Sequence, residues 1–133
     1  MLQAARVLSD PCGGQIKGSA ISISTCGVIP AIRRYTAGRH RPRLIVSLCS
    51  TIQRRRDGLM PGVARWPLDD LVGALRDHAE STRRNATVAW VLLGGINHGP
   101  DELDGLRRMH DQVPLRLNLI DVNDPRPDGL RRA

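Results

Sequence analysis

Aromatic side chains are nearly absent from this chain of 133 residues, which carries Trp66, Trp90 and Tyr35 and no Phe. Its core must therefore be built from Leu, Ile, Val and Ala. The interleaving of aromatic and basic residues that stacks single-stranded bases is missing as well. Lysine is as scarce, for among 20 basic residues only Lys17 is not arginine. A formal charge of +7 invites a nucleic-acid partner, but so pure an arginine bias reads as codon usage at least as readily. No apolar run approaches the ~18 residues of a membrane span. The stretch Met1-Leu2-Gln3-Ala4-Ala5-Arg6 lacks the long apolar segment of a secretory signal. Three cysteines, Cys12, Cys26 and Cys49, suit reduced thiols better than a disulfide frame. The expectation is a cytoplasmic chain with no membrane contact.

Several familiar chemistries are excluded. The cysteines lie 14 and 23 residues apart, which matches no C-x-x-C or zinc pattern, so no metal ligand is assigned. No two of His40, His78, His98 and His110 sit at i, i+4 around a carboxylate, and neither a G-x-G-x-x-G nor a Walker loop is present. His78 and His110 fall in helical patterns and read as solvated. Cys49 has two readings, a buried structural thiol or a nucleophile. No catalytic residue is assigned.

What the chain does contain is alternation of strand and helix. Leu44-Ile45-Val46-Ser47-Leu48 and Thr87 through Leu93 are nearly continuous apolar runs, as parallel strands are when helices cover both faces. Ile21 through Ser24 and Leu115 through Ile120 alternate instead, which fits one polar face and the lining of a barrel. Pro67 opens a stripe of Leu68, Leu71, Val72, Leu75 and Ala79 with Asp69 and Asp70 in its first turn. Pro100 opens another with Leu103, Leu106 and Met109, and Pro114 stops it. Shorter helices are predicted near residues 2–9 and 30–36. The fold class is thus α/β, with parallel strand–helix repeats, about four strands, either a small open sheet or part of a (β/α) TIM-like partial barrel. Residues 1–133 read as a single partial barrel segment, with residues 124–133 a flexible tail. Two open edges on such a sheet make it read as incomplete.

Ligands of parallel α/β folds bind at the carboxyl ends of strands. That rule selects Ser24-Thr25-Cys26-Gly27, Ser47-Leu48-Cys49-Ser50, Gly94 through His98, and Asp121-Val122-Asn123-Asp124. Each has a structural reading too: Ser24 and Thr25 as helix caps, the glycine pair and Asn123-Asp124-Pro125 as turns. Arg54, Arg55 and Arg56 follow the second strand end and are candidate RNA phosphate contacts, or else a solvated charged loop.

At these strand ends the sequence resembles the radical S-adenosylmethionine enzymes that methylate the C2 carbon of adenine in large-subunit ribosomal RNA and transfer RNA. The similar stretches are Ile23 through Pro30, Val46-Ser47-Leu48, Arg56 with Leu59-Met60-Pro61, Val91-Leu92-Leu93 with Asn97, and Asn118-Leu119-Ile120 with Asn123, in order over about residues 15–125. The resemblance implies a partial α/β barrel holding S-adenosylmethionine and a 4Fe-4S cluster. It implies cofactor contacts at Ser24, Ser47, Leu48 and Asn123, and RNA as partner. The departures are equally definite. The family's C-x-x-x-C-x-x-C motif and its Gly-Glu pair belong upstream of anything present here, and its methyl-carrying cysteine belongs beyond Ala133. Cys49 stands where the family has His, Ala89-Trp90 where it has Glu-Tyr, and Asp121 through Asp124 where it has Pro-x-Asn-Pro. A fragment or divergent paralogue is therefore expected, inactive alone: either a truncated or mis-started reading frame, or one half of a split enzyme whose second polypeptide supplies the cluster half. The alternatives are a non-catalytic RNA- or protein-binding module using Arg33, Arg34 and the Arg54–Arg56 run, and a degenerate remnant.

Overall fold

The computed structural model describes residues 1–122; Asn123 and the tail expected over residues 124–133 lie outside them. Helix α1 spans Leu2–Ser9 and is followed by strand β1, Ser22–Thr25, then α2, Ile29–Ala37, and β2, Arg43–Ser47. Two helices follow, α3 over Gln53–Leu59 and α4 over Leu68–Thr82, then β3, Thr87–Leu92. The last described elements are α5, Pro100–Gln112, and β4, Arg116–Asp121. The four predicted strands and four predicted helices are all present. Helix α3 is additional.

The local causes are visible at the helix ends. Pro30 and Pro100 occupy first-turn positions where no N–H is needed. Asp69 and Asp70 in α4, and Asp101 and Glu102 in α5, face the positive end of the dipole. Helix α4 stops with Arg83 in the left-handed region at φ 57, and α5 stops as Val113 turns extended ahead of Pro114.

The strands form one parallel sheet in the order β1-β2-β3-β4. With right-handed crossovers, sequential order places every connecting helix on one face. Accordingly α2 packs on α4, and α4 touches α5. Leu44, Val46, Val88 and Trp90 point to that face and are buried. This departs from the expectation of helices on both faces. The near-continuous runs arise because Ile45, Ala89 and Val91 lie on the helix-free face, shielded by neighbouring strands.

One histidine is a correction. His78 is buried beneath α2, with Nδ1 3.0 Å from the Thr36 hydroxyl and its ring 6.1 Å from that of Tyr35. Burial, aided by Arg84, holds its pKa below the ordinary 6.5. The helical pattern alone reads it as solvated; it is buried because α4 also packs against α2, which periodicity does not reveal. His110 is exposed as expected.

Candidate functional site at the strand ends

Register decides which side chains meet. Ser24 is opposite Ile45. Ser47, two residues further along β2, is opposite Ala89, and Ala89 is opposite Asn118. Residues paired across parallel strands share a face, as do alternate residues along one strand. Ser24, Ser47 and Asn118 therefore share the face that carries no helix. Among the described residues neither serine hydroxyl has a hydrogen-bond partner within the protein. Asn118 was not singled out from sequence because it sits inside β4 rather than past its end. Only the pairing register exposes it.

The two readings of Ser24 and Thr25 separate. Thr25 Oγ1 accepts the N–H groups of Gly27 and Val28 at 3.3 and 3.4 Å, so Thr25 shapes the turn ahead of α2; neither residue is the expected helix cap, a position that falls to Val28 with no side-chain bond. The Ser24 hydroxyl takes no part in this turn. Gly27 completes the turn at φ +92, where a side chain is strained. A Cβ there would also lie 3.0 Å from Arg56 Nη2 and 3.2 Å from Leu71. Leu48 is 1% exposed. Its side chain belongs to the core and its N–H goes to Ala89 O at 3.0 Å, so only its main chain can address a ligand.

Beyond β2 the loop is tied down by two clasps that the sequence did not announce. Asn97 Nδ2 donates to Cys49 O at 2.8 Å and Val91 O at 2.7 Å, while its Oδ1 accepts Leu93 N–H at 2.7 Å. It links the ends of β2 and β3 and is fully used by the protein. Glu102, buried at the start of α5, accepts Thr51 N–H and Thr51 Oγ1, both at 2.7 Å, and the Ser50 hydroxyl as well. Arg55 closes the group, 3.1 Å from Glu102 and 2.7 Å from Asp101. Both acids read from sequence as dipole partners; their second role depends on a loop about fifty residues away.

The arginine run divides three ways. Arg54 is exposed and Arg55 is paired. Arg56 is 0% exposed, donating through Nη1 to Trp66 O at 2.7 Å and Val63 O at 3.4 Å, with Nε and Nη2 unpartnered. Burial lowers its pKa, opposed by nearby Asp57, Cys26 and Cys49. The expected three-arginine phosphate contact thus narrows to Arg54, because adjacent residues on a helix point about 100° apart. Cys49 is half-buried, and burial followed by Cys26 pushes its thiol up against the pull of Arg56. A resting thiol, rather than a thiolate nucleophile, is the state this environment favours.

A parallel α/β half-barrel with a polar, helix-free face at its carboxyl strand ends is the class that this architecture defines. No family model matches the chain. It is 48% identical over 124 residues to a probable RNA methyltransferase of Anaeromyxobacter sp. (strain Fw109-5), covering 93% of this chain and 37% of that protein. It is 33% identical over 131 residues to a probable dual-specificity RNA methyltransferase RlmN of Moorella thermoacetica, covering 98% of this chain and 37% of the relative. A crystal structure of a radical SAM methyltransferase from Sphaerobacter thermophilus superposes with a TM-score of 0.90 at 28% identity, over 98% of this chain and 38% of that one. The chain is a homologue of a segment of RlmN-type RNA methyltransferases, and its fold is that of a radical SAM methyltransferase segment. It spans little more than a third of the length of these relatives.

That kinship implies S-adenosylmethionine and an iron–sulfur cluster in the parent family, and the residues here fit the two unequally. Two unpartnered hydroxyls on one strand-end face suit a polar nucleoside ligand. For the cluster, three thiolates must converge. Cys12 is exposed in the turn after α1, whereas Cys26 and Cys49 lie at strand ends. Among the described residues no group of three metal ligands forms. The cysteines of this chain do not fit a cluster, and no chemistry is routed through one.

Proposed function

We propose that this chain forms part of an S-adenosylmethionine pocket in a divergent, cytoplasmic RNA methyltransferase acting on adenine C2 of ribosomal or transfer RNA. The cluster thiolates are not among the residues of this segment, and the segment alone is inactive. The observation that carries this reading is the shared, helix-free face of Ser24 and Ser47 at the ends of adjacent parallel strands. When bound, S-adenosylmethionine supplies the methyl group. Ser24 and Ser47 bind the ligand's polar ribose and methionyl atoms through their hydroxyls, with Asn123 adding an amide and Leu48 a main-chain contact. Ile45 and Val91 give the adenine an apolar wall. Asn97 and Glu102 hold the loops in register and touch no ligand.

Titration calorimetry and thermal shift with S-adenosylmethionine test this. Ligand at a hundred times Kd stabilises by about 2.7 kcal/mol. Ser24→Ala and Ser47→Ala each weaken binding about tenfold, the equivalent of one hydrogen bond. A melting temperature that ignores millimolar ligand would end the proposal.

One observation favours a second reading, a non-catalytic basic module: Arg33, Arg34 and Arg54 are all exposed. RNA affinity that falls steeply with salt, unchanged by S-adenosylmethionine and weakened by charge reversal at those three positions, would select it.

A further inference from the structure

We propose that a cavity at the amino ends of β1 and β2 binds a phosphate group carried on a nucleoside, at the opposite end of the sheet from Ser24 and Ser47. The inference is independent of what the carboxyl strand ends bind. The cavity has a volume of about 610 Å³ and is enclosed by α1, the loop that follows it and the loop from α2 to β2. A space of this size accepts a ligand as large as one nucleotide.

Its charge is of one sign. Arg6, Lys17, His40 and Arg41 line it and, among the described residues, no carboxylate does. Arg6, Lys17 and Arg41 are exposed, and among the described residues none of them enters an ion pair or donates a side-chain hydrogen bond. The acid beside them in sequence, Asp10, turns Oδ1 to the N–H of Cys12 at 2.7 Å. Arg6 stands in the last turn of α1, where the helix dipole by itself favours a cation. Lys17 and Arg41 stand in loops, so the dipole does not account for them. Three cations that meet around one space without a counter-charge call for an anion.

The walls are held in place by the rest of the protein. Arg84, ahead of β3, donates through Nη1 to His40 O at 3.2 Å and Arg41 O at 2.9 Å. The Tyr35 hydroxyl donates to Pro42 O at 2.6 Å. Successive carbonyls of the α2–β2 loop are thereby fixed from two sides. A Cβ at Gly18 would lie 2.9 Å from Arg41 Cβ, so the wall that bears Lys17 touches the wall that bears Arg41. Gln15 at φ 52 and Arg39 at φ 44 are non-glycine residues in the left-handed region, one in each loop. Strained backbone of this kind gathers where a binding surface must keep its shape.

The remaining lining sets the ligand class. Leu2, Ala5, Ile16 and Pro42 give the cavity an apolar side, and Ile16 is 41% exposed to it. A nucleoside lies against that side while its phosphate meets the guanidinium and ammonium groups. A bare inorganic anion would leave the apolar side in water. Among the lining residues there is no Trp, Tyr or Phe to stack on a base, so the site holds the phosphate and reads little of the sequence. An RNA strand and a free mononucleotide both present this group.

The two sources are separated by titrating the full 133-residue chain with a short labelled single-stranded oligoribonucleotide, read by anisotropy, and with adenosine 5′-monophosphate, read by calorimetry. Lys17→Gln with Arg41→Gln is expected to weaken oligoribonucleotide binding about tenfold and to lower its salt slope by about one for each charge lost. Arg6→Gln, on a different element, weakens it independently. Arg107→Gln with Arg108→Gln removes the same charge from α5 and leaves affinity unchanged. Loss confined to the oligoribonucleotide identifies an RNA strand as the source; a matching loss for the mononucleotide shows that one nucleotide suffices, and both outcomes support the site. A wild-type chain that binds neither probe overturns the inference, as does equal weakening by the two double variants. Displacement of the oligoribonucleotide by an equal concentration of polyglutamate peptide also overturns it, since the surface then reads negative charge and not phosphate.

Discussion

The Glu102 carboxylate accepts the backbone N–H of Thr51 at 2.7 Å, so the first turn of α5 holds the loop that leaves β2. Glu102 is 1% exposed, and its other acceptor sites are taken by Ser50, Thr51 Oγ1 and Arg55. Glu102→Ala strands those donors in a buried site and is expected to cost about 3 kcal/mol, since hydrogen bonds to a charged group are worth about 1.5–3 each. Urea unfolding measures it; a loss below about 1 kcal/mol would mean that the clasp is dispensable.

Gly105 lies against the same loop. A Cβ at this position would collide with Thr51 Oγ1 and lie 2.6 Å from Thr51 Cβ. Glycine to alanine inside a helix ordinarily gains about 1 kcal/mol. Here the sign reverses, because Thr51 is branched at Cβ and held by Glu102, and overpacking costs about 1–3 kcal/mol. Gly105→Ala is expected to lower the melting temperature. An increase would show that α5 is free to slide outward.

Gly27→Ala tests the turn after β1. Its φ of +92 and the nearness of Arg56 and Leu71 predict a loss of about 2 kcal/mol from strain alone. The control is Gly58→Ala, where nothing lies within 4 Å of the added Cβ. Equal denaturation midpoints for the two variants would contradict the assignment.

The buried His78 makes stability depend on pH in a defined direction. Its folded pKa is lowered below 6.5 by burial and then by Arg84. Between the lowered value and 6.5 the unfolded chain binds the proton more readily, so stability falls as pH drops through that window and is level above it. His78→Gln, which cannot titrate, is expected to flatten this part of the pH profile of chemical denaturation. Parallel profiles for the two proteins would be the contrary result.

Much of the architecture was legible locally. Pro67 with Asp69 and Asp70, and Pro100 with Asp101 and Glu102, mark helix starts through terms confined to one turn. Helix α3 was not legible, because Gln53-Arg54-Arg55-Arg56-Asp57-Gly58-Leu59 has no apolar stripe. What holds it is tertiary: Gln53 Oε1 accepts Leu68 N–H at 2.8 Å, and Arg56 anchors on Trp66 O. The same gap explains the arginine run, which reads as one patch and folds into one free, one paired and one buried side chain.

The amino-acid order by itself determined the four strands, most helices, their parallel alternation and the serines at two strand ends, since hydrophobic period and helix-start chemistry act over a few residues. Only the tertiary structure decided that all helices share one face, that Ser24, Ser47 and Asn118 share the other, and that Arg56 and His78 are buried. Those outcomes follow from register and packing between segments up to about fifty residues apart, where no local term in the chain encodes the partner.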